Sequence, residues 1–152
     1  MIRSKSKSVQ AFTLAEVVIA LAIAALVFAG IILAYVQSTR RAEWTGYSLA
    51  AQALAVQELE AARSAKWDVQ SVPPVDELTN LPSMTWSVLD LPISGNNVTY
   101  ATNYISVKTI SLSTTPPESV RMVKVDTVWP FAKGRATTYF TNTVANYFAP
   151  DR

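Results

Sequence analysis

The sequence predicts an α+β fold in which a long N-terminal helix packs against a C-terminal antiparallel β-sheet of about four strands. Three features predict it: an uncharged apolar run over 17–36, a helix-forming stretch behind that run, and a C-terminal part rich in Val, Ile, Thr and aromatic residues. The two parts are separated by a Pro-containing segment over 69–83, which we expect to be a loop. A helix followed by consecutive strands is typical of α+β domains.

The apolar run over 17–36 has the length of a membrane-spanning helix. A helix rises about 1.5 Å per residue, so roughly 20 apolar residues cross the hydrocarbon core of a bilayer. Three basic residues, Arg3, Lys5 and Lys7, precede the run, and no acidic residue lies among them. By the positive-inside rule, this asymmetry predicts a cytoplasmic N-terminus and an extracytoplasmic C-terminal part. We therefore expect a single-pass protein in contact with membrane lipid.

The helix is expected to continue outside the membrane over 37–68. Good helix formers dominate up to Lys66, and Pro73 and Pro74 prevent the helix from continuing beyond the loop. No charge occurs between Glu43 and Glu58, which predicts a broad apolar face packed on a sheet. Two neighbouring stripes form this face: Trp44, Tyr47, Ala51 and Leu54, and then Leu49, Ala53 and Val56.

The C-terminal part, 84–152, is expected to form the sheet. Four strands are predicted over 84–91, 98–113, 120–129 and 135–147. The third strand alternates, so Val123, Val125, Thr127 and Trp129 are expected on one buried face.

Two irregularities are expected in these strands. In the second strand the apolar positions change face between Val107 and Ile110, which predicts a bulge or break near Lys108. After Pro130, the segment 131–134 is expected to form a tight hairpin turn.

The composition argues against an enzyme. The chain contains no His and no Cys, which excludes a Ser-His-Asp triad, a thiol nucleophile and an ordinary zinc site. A carboxylate pair drawn from Asp76, Glu77 and Asp126 is arithmetically possible, but we expect these acids in a loop and on a solvated strand face. Asp90 and the polar residues over 94–97 form either a weak calcium loop or, as we expect, a polar turn. We predict no cofactor and no metal.

Glu16 lies about one turn inside the apolar segment. An ionisable residue costs on the order of 2.5 to 3.5 kcal/mol at the centre of a membrane helix, less near an interface, and it usually has a partner. Glu16 therefore either reaches the lipid headgroups or pairs with a group in another molecule.

The segment over 7–21 resembles the processing site of type IV prepilins and type II secretion pseudopilins. The resemblance is carried by the basic leader, by Ala11-Phe12, by Glu16 and by the apolar helix that follows. It implies that prepilin peptidase removes the leader over 1–11 between Ala11 and Phe12, and that Phe12 is then N-methylated. It also implies that Glu16, the fifth residue of the processed chain, pairs with the N-terminal amine of a neighbouring subunit. The family usually has Gly before the cut, whereas this chain has Ala11.

The C-terminal part is similar, at lower specificity, to minor pseudopilins of the I class and V-type minor pilins. Two segments carry this likeness, 52–60 and 123–130. The likeness implies a subunit present in few copies near a filament tip, with other pilin or pseudopilin subunits as partners.

The charge balance indicates no nucleic-acid partner. The chain has 13 basic and 11 acidic residues, and three of the basic ones lie in the predicted leader. The processed chain is therefore slightly acidic and has no basic footprint. We predict a non-enzymatic subunit of a type IV pilus or a type II secretion filament. The alternative is a permanently anchored single-pass protein whose outer domain binds a ligand.

Overall fold

The computed structural model describes residues 13–90, 98–114, 117–133 and 136–151. The chain divides into two compact units, Met1–Ala42 and Glu43–Arg152. The described part of the first unit is helical from Leu14 onward, and the second unit contains the end of the same helix and all the described strands.

The helix, α1, spans Leu14–Arg63 and contains 50 residues. It ends five residues before the expected boundary at Asp68, so the predicted C-terminal limit is wrong. The Ser64 hydroxyl donates to the carbonyl of Ala61 at 2.7 Å, and the Ser64 amide donates to the same carbonyl at 3.2 Å. Serine competes in this way for backbone groups and favours termination. The Lys66 amide then donates to the Glu77 carboxylate at 2.7 Å, outside the helix.

The segment expected to be a loop over 69–83 is partly ordered. Strand β1, Trp67–Asp68, pairs antiparallel with strand β2, Val75–Asp76, and a short 3₁₀ helix follows over Leu78–Asn80. The Asp68 carboxylate accepts hydrogen bonds from the amides of Gln70 and Ser71 at 2.9 and 3.0 Å, which closes the turn between the strands. These two bonds lower the pKa of Asp68.

Four strands form the main sheet, in the order β3-β4-β5-β6, and each strand is antiparallel to its neighbour. Their bounds are Met84–Asp90 for β3, Thr99–Thr114 for β4, Pro117–Lys133 for β5 and Ala136–Phe148 for β6. The predicted α+β fold, one long apolar helix packed against a four-stranded antiparallel sheet in a pilin-like arrangement, is confirmed.

The alternation in β5 is confirmed, because Val123, Val125, Thr127 and Trp129 are all buried. The expected break near Lys108 is wrong. The pairing of β4 with β5 is continuous through that residue, and its register shifts only between Ser111 and Ser113.

The change of apolar face in β4 therefore has another cause. Ile110 and Leu112 lie on the opposite face from Ile105, and Leu112 is 63% exposed, so no bulge is needed to turn them inward. The turn expected over 131–134 does not begin at Phe131. Strand β5 continues through Pro130, opposite Tyr139, to Lys133.

One narrow stripe of α1 packs on the sheet. Ala55, Leu59 and Ala62 contact Ile105, Val123 and Val125, together with Trp67 and Leu78. In a second cluster Ala51 packs with Leu89, Ala101 and Trp129.

The second predicted stripe of α1 does not join this core. Leu49 is 66% exposed and Val56 is 41% exposed, so the expected broad face is wrong. Buried positions recur every three or four residues, which corresponds to a single side of the helix.

Candidate functional site

The start of α1 is fixed by a reciprocal pair of hydrogen bonds between Thr13 and Glu16. Oε2 of Glu16 accepts from the Thr13 amide at 2.8 Å and from its hydroxyl at 2.9 Å. The Thr13 hydroxyl oxygen in turn accepts from the Glu16 amide at 3.3 Å. This arrangement is a capping box, which satisfies amides that have no partner within the helix. Glu16 is also placed where the partial positive charge of the helix start favours a carboxylate.

The capping box is a feature that the sequence analysis missed. Thr13-Leu14-Ala15-Glu16 has the Thr-x-x-Glu spacing immediately before an apolar run, which is a recognised signal for a helix start. The expected resemblance to a processing site accounted for Glu16 and left this local role out.

The two carboxylate oxygens of Glu16 differ in their hydrogen bonds. Within the residues that the structure describes, both bonds to the carboxylate end on Oε2 and none ends on Oε1. Glu16 also borders a shallow groove on the helix surface, lined by Val17, Ala20, Leu21 and Ala24. Small side chains at such a groove allow a second helix to approach closely.

The helix behind Glu16 presents its apolar side chains outward. It is long and apolar enough to cross a membrane, and its most apolar stretch has no buried residue. An apolar surface of this size is unfavourable in water. It is typical of a helix in contact with lipid or with other apolar helices.

The predicted processing site lies outside the described residues. This holds for Ala11, Phe12 and the leader charges Arg3, Lys5 and Lys7, so cleavage and methylation stay predictions.

The acidic residues considered for catalysis are engaged separately. The Asp76 carboxylate accepts hydrogen bonds from both terminal nitrogens of Arg121, and these bonds hold the pKa of Asp76 below its ordinary value. The Asp126 carboxylate accepts from Lys124 at 2.7 Å and from Thr143.

Asp90 likewise has a structural partner. Its carboxylate accepts from the Tyr47 hydroxyl at 2.8 Å, and this bond raises the pKa of Tyr47. The other residues of the considered calcium loop, 94–97, lie outside the described part of the chain. Across the described residues, no three acidic side chains come together as a metal site.

Comparison with protein families points to the N-terminal segment as the functional part of the chain. Residues 6–32 match the prokaryotic N-terminal methylation motif. The match covers the predicted cleavage position, the capping box and the groove beside Glu16. A search of curated proteins and a search of solved structures each found no match for the chain.

The methylation motif supports the prepilin and pseudopilin family for this chain. It implies a pilin-type subunit that is processed by prepilin peptidase and assembles with other pilin subunits, which suggests a structural rather than a catalytic role. The motif together with the exposed apolar helix suits a pilin anchored in the inner membrane.

In the second unit, a buried polar network holds α1 to the sheet. Asn103 is fully buried, and its Nδ2 donates to Glu58 at 3.2 Å, to Thr85 at 3.2 Å and to Ser87 at 3.0 Å. Its Oδ1 accepts from the Thr127 hydroxyl at 2.8 Å. Buried polar groups of this kind are costly unless all are paired, so the network specifies one position of the helix along the sheet.

A second polar contact lies nearer the start of the unit. The Trp129 indole donates to the Asn142 side chain at 2.7 Å, and Asn142 donates to the Ser48 carbonyl at 3.2 Å. Trp129 stacks on Phe140 with ring centroids 5.1 Å apart. These aromatic and polar contacts give the described part of the second unit a close-packed interior.

Proposed function

We propose that this protein is a non-enzymatic structural subunit of a type IV pilus or a type II secretion filament. Prepilin peptidase cuts the leader 1–11 between Ala11 and Phe12, and Phe12 is N-methylated. The segment 12–36 anchors the chain and later enters the filament, while 37–68 and the sheet region 84–152 lie outside the cytoplasm, joined by 69–83. The match of residues 6–32 to the methylation motif carries this proposal.

The geometry of Glu16 supports its assembly role. Oε2 is occupied by the capping box, while Oε1 accepts from no described donor, and the carboxylate borders a groove that includes the small residues Ala20 and Ala24. A neighbouring subunit whose N-terminal amine enters this groove supplies a cationic donor to Oε1. Such a pair is strong in a low dielectric, although desolvation offsets much of the gain, so it selects register more than it adds stability.

The subunit belongs, on this proposal, to the minor class. The likeness of 52–60 and 123–130 to I-class minor pseudopilins and V-type minor pilins supports a position in few copies near the tip. Its partners are prepilin peptidase, other pilin or pseudopilin subunits and inner-membrane lipid, with no nucleic acid. The leader charges Arg3, Lys5 and Lys7 support a cytoplasmic N-terminus.

Processing tests the proposal. The full chain is expressed with active and with inactivated prepilin peptidase, and the intact mass of the membrane-bound protein is measured. We expect loss of residues 1–11 and gain of one methyl group only with the active enzyme. Ala11→Gly should be cut at least as completely, while Ala11→Leu should stay full length. An uncut chain with active enzyme, in both wild type and Ala11→Gly, would instead favour the permanently anchored, ligand-binding alternative.

A further inference from the structure

The main sheet has two outer edges, β3 and β6. Strand β6 pairs with β5 over its whole length, from Arg121↔Phe148 to Lys133↔Ala136. Strand β3 pairs only with β4. Among the described residues, no backbone hydrogen bond reaches the outer side of either strand. Each edge therefore offers a row of amides and carbonyls whose geometry matches another extended strand.

Strand β6 lacks the features that usually prevent strand pairing, whereas β3 has one of them, a register shift between Val88 and Asp90. Strand β6 has 13 residues, contains no charge, Pro or Gly, and keeps an unbroken register with β5. Strand β3 has 7 residues and a single charge, Asp90, whose carboxylate is bound by Tyr47. Natural proteins generally protect exposed edges with lysine, proline, bulges or covering segments. Neither edge carries a charge that would repel the other.

The direction of the strands defines how two copies can meet. Because the four strands alternate, β3 and β6 run antiparallel to each other. Copies that are oriented alike and stand side by side therefore bring β6 of one against β3 of the next in antiparallel order. Such a contact uses two different surfaces and can repeat from copy to copy.

The middle of β6 has smaller side chains than β3 on the same face of the sheet. On this exposed face, β3 presents Met84 and Trp86, and Trp86 is 73% exposed. The middle of β6 presents the exposed Thr141, Thr143 and Ala145, which are flanked by the larger Tyr139 and Tyr147. A large side chain opposite a small one packs well across an antiparallel pair.

We propose that β6 of one copy pairs with β3 of a second copy, and that this joins their sheets into one continuous antiparallel sheet. The proposal rests on the proposed function in one respect, since insertion in the same membrane orients the copies alike. It adds an interface between the second units of membrane-anchored copies, and it does not require more than a few copies in the filament.

Cysteine crosslinking tests this pairing directly, because the chain has no native cysteine. Three double variants combine Trp86→Cys with Thr141→Cys, Thr143→Cys or Ala145→Cys. The full chain is oxidised in membranes and separated without reductant. We expect at least one double variant to form a ladder of dimers, trimers and larger species.

Because the contact joins two different edges of the sheet, the control variants have specific expected results. A mixture of the matching single-cysteine chains should stop at the dimer, and each single variant alone should stay monomeric. Replacing Trp86→Cys by Ser106→Cys, on the exposed face of the central strand β4, should abolish the ladder. In a crosslinking double variant that retains Thr141, Thr141→Lys should reduce the ladder at least fivefold, whereas Ser111→Lys on β4 should leave it unchanged.

Three results would overturn the pairing: no ladder in any double variant, crosslinks from a single β6 cysteine alone, or crosslinks only to a different protein. The intact mass of the chain in the same membranes separates this inference from the proposed function. A processed chain without a ladder contradicts the edge pairing alone. An unprocessed chain with a ladder supports the pairing and contradicts the proposed processing.

Discussion

Glu16→Gln and Glu16→Ala separate the two roles of this side chain. Glutamine keeps an oxygen that accepts from Thr13 but removes the negative charge, whereas alanine removes both. The carboxylate makes two bonds to Thr13, at 2.8 and 2.9 Å. Losing a cap typically costs about 1 kcal/mol, so Glu16→Ala should fray the helix start. Glu16→Gln should keep it.

Loss of the charge pair with a neighbour's N-terminal amine should affect filament incorporation more than loss of the cap does. Two charges about 4 Å apart interact by about 4 kcal/mol at an effective dielectric constant of 20, before desolvation is subtracted. If only about 1.4 kcal/mol survives, incorporation falls tenfold. We therefore expect both variants to insert in the membrane and to be processed, and both to enter the filament at least tenfold less than wild type.

Quantitative immunoblotting of sheared filament and membrane fractions measures this ratio. Glu16→Asp, which keeps the charge on a shorter side chain, is the matched control and should recover part of the incorporation. Wild-type incorporation of Glu16→Gln would refute the charge-pair reasoning. A defect in Glu16→Ala alone would assign the residue to helix capping.

Three further variants address the second unit, with Trp86→Ala as a common control expected within about 0.5 kcal/mol of wild type because its side chain is exposed. Asn103→Leu leaves buried partners unpaired and should cost about 3 kcal/mol in the free energy of unfolding, measured by urea titration of the full chain in detergent. A cost like that of the control would show that the network is not structural. Trp129→Ala removes a fully buried ring and should cost about 3 to 5 kcal/mol by the same titration. Unchanged stability would contradict the described core. Asp76→Asn should destabilise the chain at pH 7, and the effect should shrink as the pH falls below the ordinary Asp pKa. The pKa of Asp76 is lowered by Arg121, so its contribution is present above the ordinary Asp pKa and is lost as the pH falls through the folded value. A pH-independent difference would contradict this origin.

The sheet was predictable because its signals are local. Strand β5 alternates between apolar or Thr side chains that face the core and others that do not, and the structure buries the first set and leaves the second half-buried. The error at Lys108 arose because a change of apolar face was attributed to a bulge. Leu112 instead stays exposed, and a sequence alone does not show where the covering helix stops.

The helix limits and the buried polar residues were not predictable in the same way. Beyond the end of α1 at Arg63, the Lys66 amide donates to Glu77, which is distant in sequence. Asn103 looks like a surface residue in a strand until Glu58 and Thr127 are brought to it. The capping box at Thr13 was visible in the sequence. It was missed because Glu16 already had an expected role.

The capping box has a consequence for the timing of assembly. A newly inserted subunit has no neighbour, and an unpartnered carboxylate at the mouth of the apolar helix would favour aggregation or degradation. Because Thr13 already satisfies one oxygen of Glu16, the waiting subunit carries its own provisional partner. On the proposed function, the membrane can therefore hold a reserve of subunits ready for use, and the neighbour's amine completes a bonding pattern that the chain begins by itself.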